Sequence, residues 1–241
     1  MRSIVALGMC VALVMLVLAG CGEKATEPKY EVTINPADFV AVIDNTYLPL
    51  TPGTIFIYQG TKDGLPETNK VFVTNETKVI LGVTCVVVKD TVLVDGRLAE
   101  ATLDWYAQDK DGNVWYFGED SKDYENGVVV STAGSWEAGV DGALPGLTML
   151  AHPDVGHSYR QEYLKGVAED KAQVQSLSGS VTVPYGSFTG CLETKEWTAL
   201  EPGVVEYKYY GTGVGMLKAV MVVGGDDRSE LVSVTYIPVL P

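Results

Sequence analysis

The sequence is short of base. Lys and Arg number 17 against 31 Asp and Glu, a formal net charge of −14. That balance excludes a nucleic-acid partner or an anionic lipid surface held by a basic patch. Histidine is scarcer, with only His152 and His157 in the chain, so any imidazole chemistry must run through one short stretch. No Gly-x-Ser-x-Gly elbow occurs, which removes the usual nucleophile signature of an α/β-hydrolase. Helical periodicity is nearly missing. Beyond the first twenty residues no apolar run reaches the roughly 20 residues of a membrane helix.

What is present begins at the N-terminus. Arg2 is followed by an apolar run from Ile4 to Ala19, broken only by Gly8, and then by Leu18-Ala19-Gly20-Cys21. A positive start, a short apolar stretch and small residues make a secretory signal over residues 1–20. Leu-Ala-Gly-Cys resembles the lipobox of bacterial lipoproteins. The resemblance implies that the Cys21 thiol carries diacylglycerol, that the chain is cut before it, and that its new amine is acylated. Several acyl chains on one residue anchor stably, where one alone is marginal. Loss of Arg2 with the signal takes the net charge from −14 to −15. Residues 21–34 read as a tether, opening with the polar Gly22–Pro28. Gly22, rather than Asp, follows the cysteine. By resemblance to enteric lipoproteins this favours the outer membrane, facing the periplasm or the cell surface, over the inner one.

Residues 35–241 read as a single mainly β domain: antiparallel sheets forming an open barrel or sandwich, with little helix. Val, Thr, Tyr and Ile are dense. Turn clusters recur at short intervals, among them Lys62-Asp63-Gly64, Val94-Asp95-Gly96 and Glu125-Asn126-Gly127, and such punctuation marks hairpins. Pro36–Val42 is the best helix candidate, with Asn35 as its cap. Cys85 and Cys191 each open a similar unit of strand, turn and aromatic strand. This weak repeat suggests halves at 50–134 and 157–237, joined by a long loop over Ser135–Gly156.

Two passages carry a further resemblance. Asp104–Glu119 resembles a run in uncharacterised bacterial envelope proteins. Val183–Phe188 with Tyr209–Lys218 resembles a pattern in β-rich periplasmic domains. The resemblance implies an antiparallel, open-barrel-like envelope domain and carries no activity.

Candidate sites are few. Cys85 and Cys191 remain once the signal leaves and Cys21 is acylated; in an oxidising compartment they are either bonded or free and buried. His152, Asp154 and His157 could start a metal site, with Glu162 or Asp141 completing it, although this spacing is no recognised ligand pattern. Asp109, Asp111 and Asn113 resemble the start of a calcium loop but lack its later ligands, so a hairpin tip reads better. On alternating strands Ala101, Leu103 and Trp105 oppose Glu100, Thr102 and Asp104, and Val205, Tyr207 and Tyr209 oppose Glu206, Lys208 and Tyr210. Trp105, Trp115, Tyr207 and Tyr209 are therefore the candidate ligand-facing aromatics. No cofactor is expected and no catalytic residue is assigned. The expected function is a lipid-anchored, non-enzymatic module binding an apolar small molecule or an envelope partner. The alternatives are a hydrolase using the His152–His157 loop and a structural surface lipoprotein.

Overall fold

β-Branched residues and turn dipeptides build strands almost everywhere that the pattern predicts them. The computed structural model describes residues 29–238. The signal, Cys21 and the start of the tether lie outside the described residues. In chain order the strands are β1 (Phe39–Val40), β2 (Thr54–Lys62), β3 (Leu65–Ile80), β4 (Val83–Val94), β5 (Arg97–Asp109), β6 (Val114–Glu125), β7 (Val128–Ser131) and β8 (Trp136–Glu137). They continue with β9 (Leu144–Met149), β10 (Ser158–Arg160), β11 (Glu162–Tyr163), β12 (Lys171–Val183), β13 (Gly186–Trp197), β14 (Val205–Gly211), β15 (Gly215–Val223) and β16 (Arg228–Tyr236).

Two runs of consecutive hairpins, β2 to β6 and β12 to β16, form most of the sheet. β16 pairs antiparallel with β2, from Tyr236 opposite Thr54 to Arg228 opposite Thr61, and joins the runs into one surface. β10 extends it beyond β12, while β9 and then β11 extend it beyond β6. Only Gln161 separates β10 from β11, so the two ends of the sheet are drawn together and the whole is a nearly closed barrel. Gly146 on β9 is required at this closure, because a Cβ there would collide with the backbone of Gln161 and Glu162.

Several details depart from expectation. The helix predicted over Pro36–Val42 is one 3₁₀ turn, Pro36–Asp38, with the Asn35 side chain accepting from the Ala37 N–H. Three residues cannot offset helix nucleation, and the chain leaves as β1 to pair with the end of β5. The predicted loop over Ser135–Gly156 contains β8 and β9, both paired with β6. Gly118 in β6, at a φ of 131°, lets β8 approach where a side chain would strike Trp136 and Glu137. The tether ends early: Ile34 already packs against buried residues.

Two apolar clusters flank the sheet. The first lies inside the barrel and includes Val73, Val88, Leu192, Leu217 and Leu231. The second lies on the other face of β3 to β6, where Trp105, Ala107 and Phe117 are covered by Trp136, Ala138 and Ala168. Both faces of this part of the sheet are therefore buried. Cys85 belongs to the second cluster and Cys191 to the first. Both thiols are free and buried, so the disulfide considered from the sequence does not form. Burial pushes the Cys85 thiol up to about 12, as expected for an inert packing residue.

Candidate functional site

Antiparallel register stacks interior side chains in rows. Tyr58 on β2 stands opposite Asn69 on β3, which stands opposite Val92 on β4, which stands opposite Glu100 on β5. The next row toward the centre carries Val71, Asp90 and Thr102. The row after that carries Val88, Asp104 and Glu119. From the other meander, Glu206 and Lys208 on β14 and Ser229 on β16 join Tyr58, Asn69, Asp90, Glu100 and Asp104 around a cavity of about 430 Å³. This volume lies in the range of small-molecule sites.

The floor is apolar and built by the N-terminal segment. Asn45 donates through Nδ2 to the Gly112 and Leu150 carbonyls, while its Oδ1 accepts from the Tyr47 and Leu48 N–H groups. Asp44 and Gln108 bond each other twice, through the Asp44 N–H and through Gln108 Nε2. So held, Leu48 and Leu50 reach the cavity beside Tyr106 and Tyr210.

The walls are acidic. Asp104 is almost fully buried, and Tyr116 donates its hydroxyl to Asp104 Oδ1 at 2.6 Å. Burial, and then the charge of Asp90, hold the Asp104 carboxyl up at about 8. Burial likewise raises Asp90 to about 7 and, outside the cavity lining, Glu119 to about 8, with neighbouring carboxylates adding to both. Glu162, on β11, is raised to about 7 by burial and then by Asp170. Lys208 stands apart, bound to Glu196 Oε2 at 2.7 Å and to Glu206 Oε2 at 3.3 Å. Glu196 also accepts from the hydroxyls of Thr194 and Tyr210.

Three side chains of the lining are incompletely satisfied: Ser229, at its Oγ, and the pair Asn69 and Asp90. Asn69 donates through Nδ2 to Asp90 Oδ2 at 3.3 Å. Asn69 Oδ1 and Asp90 Oδ1 are both buried without a partner. Each is an acceptor whose burial is costly until a donor reaches it.

The residues singled out from the sequence lie elsewhere. Trp105 is buried in the outer-face cluster, with the Lys78 ammonium 3.4 Å from its ring centre. Trp115 packs on the same cluster, and its indole donates to Asp109. Tyr207 and Tyr209 are half-buried on the face of β14 opposite Glu206, Lys208 and Tyr210. None of these four aromatics lines the cavity. The alternation is as read, but the acidic side of each strand is the interior. His152, Asp154 and His157 are exposed on one loop, and no group of three His, Cys, Asp or Glu able to hold a metal occurs among the described residues. Asp109 accepts from the Asn113 N–H, the Asn113 amide and Trp115, so the calcium-like segment is a self-bonded hairpin tip. The sequence reasoning missed Asn69, Asp90 and Asp104 as a group. Their only signal was polar residues at alternate positions of strands otherwise rich in Val and Leu.

No family profile matches the sequence, and no curated protein matches it. Two crystal structures are similar in shape. One is a protein of Bacteroides fragilis, titled as exported and as having a YmcC-like fold. It is 14% identical with a TM-score of 0.47, and the match covers 79% of this chain and 99% of that one. The other is titled as a lipoprotein of Parabacteroides distasonis. It is 12% identical with a TM-score of 0.42, and the match covers 80% of this chain and 100% of that one.

Proposed function

We propose that this is a lipid-anchored protein of the bacterial envelope whose barrel binds a polar small molecule. The anchor reading rests on Leu18-Ala19-Gly20-Cys21 and the signal before it. The binding reading rests on one observation: a cavity of about 430 Å³ whose wall holds the unpartnered acceptors Asn69 Oδ1 and Asp90 Oδ1. The charged walls favour a polar occupant over the apolar one expected from the aromatic strands. The hydrolytic alternative gains no support from the His152–His157 loop, which is exposed and belongs to no group of three metal-ligating side chains among the described residues.

Native mass spectrometry of the full chain, released gently from envelope membranes, tests both parts. A retained small polar molecule lost on denaturation supports the binding reading, and a bare chain counts against it. An N-terminal acylated Cys21 in the same spectrum supports the anchor. A free Cys21 thiol, or an uncleaved Met1, overturns it.

A further inference from the structure

Resting on that reading, the question becomes which polar molecule the cavity takes. The two sides of the cavity differ in charge balance. On the β14 side, Lys208 is already held between Glu196 and Glu206. On the β3 to β5 side, Glu67, Asp90, Glu100 and Asp104 face the cavity with Lys62 of β2 as the accompanying cation. An anion is therefore repelled from that wall. Independently of charge, the two unpartnered atoms there, Asn69 Oδ1 and Asp90 Oδ1, both call for donors. An ammonium group supplies three donors and no acceptor. Tyr58 and Tyr210 spend their hydroxyls on the Met216 carbonyl and on Glu196, so what they offer a ligand is ring surface, which attracts organic cations.

We infer that the cavity binds a small organic cation of the alkylamine class, its ammonium seated against Asp90 and Asn69. The charge is balanced by the wall. As the amine enters, carboxyl groups there ionise, each releasing one proton to solvent and leaving a carboxylate beside the cation. The groups facing Asp90 are Glu67 and Asn69 on β3, Glu100 and Asp104 on β5, and Lys62 on β2. The carboxyl groups among them compete for ionisation until a cation arrives. Alkaline pH therefore strengthens binding, up to the point where the amine itself loses its proton.

The test is calorimetric titration of the full chain in nonionic detergent with 1,4-diaminobutane, and with 1,4-butanediol as its uncharged counterpart. Expected are saturable binding of the diamine at pH 8, weakening by about tenfold or more at pH 5.5 as the carboxyls are neutralised, and no binding of the diol. Asp90→Asn removes the charge and keeps the shape, and it is expected to weaken the diamine by about tenfold or more; circular dichroism shows whether it folds. Asp104→Asn provides a second variant on the same wall. Diol binding equal to that of the diamine overturns the cation and leaves a polar-ligand cavity standing. Calcium binding at comparable affinity overturns the alkylamine class. Absence of diamine binding overturns the inference, whereas the polar-ligand reading falls only if the native spectrum is also bare.

Discussion

Asp104 and Glu119 stand directly opposite each other across β5 and β6, two carboxyl groups on one face of the sheet. Like charges at directly opposed positions destabilise a sheet; burial first, and then the charge of Asp90 at Asp104 and of Asp104 at Glu119, keeps both groups protonated up to about pH 8. Glu119→Gln removes the conflict while keeping the shape. At pH 8 it is expected to stabilise the fold by about 0.2–1 kcal/mol, and at pH 5, where both groups are already neutral, to change little. Urea unfolding at the two pH values checks this. Equal effects at both would detach the pair from the charge argument.

The wild-type chain carries the same logic further. Asp90, Asp104, Glu119 and Glu162 all have raised pKa values in the fold, between about 7 and about 8, against 3.8 to 4.5 for the free side chains. A raised acid binds its proton more tightly when folded. Its contribution is complete below the unfolded value and is lost as pH climbs through the folded one. Thermal stability should therefore decline between about pH 4 and pH 8. A melting temperature that rises across this window would contradict the buried, crowded placement of these groups.

How much of this was legible in the sequence depends on the residue. The turns at Asp63-Gly64, Asp95-Gly96 and Asn126-Gly127 each close a hairpin as predicted, because turn residues and β-branched runs act locally. The alternation of Trp105 against Asp104 was also legible. Which side faces inward was not. Apolar side chains point toward whatever covers them, and Trp105 is covered by Trp136 and Ala138 from the stretch read as a loop. Alternation reports that two faces differ; it does not report where the remaining chain will lie. The same limit hid the link between Asn69 and Asp90, whose meeting depends on the register of β3 against β4.

Core packing and the histidine loop should respond very differently to mutation. Leu217 is fully buried in the barrel interior, and Leu217→Ala is expected to cost about 2–5 kcal/mol. His152→Ala and His157→Ala, both at exposed sites, should stay within about 0.5 kcal/mol. Chemical denaturation separates these outcomes. A large loss at either histidine would show that the loop carries a role the structure does not reveal.

The cysteines offer a simple readout. Cys85 and Cys191 are both free and fully buried. A thiol reagent should leave Cys85 and Cys191 untouched in the native chain and label both once it unfolds. Failure to label them under denaturing, non-reducing conditions would indicate a bond between them, and rapid labelling of either in the native chain would contradict their burial.

The seam between β16 and β2 sets a condition on how this protein comes into being. β16 pairs with β2, which begins at Thr54, so a strand about 170 residues further along is needed to finish the first wall. Contacts so distant in sequence slow folding. A folding chain holds β2 and β15 as bare edges until Arg228–Tyr236 docks between them. Such edges invite pairing with other chains. A truncation before Arg228 would therefore yield an aggregating product rather than a smaller barrel.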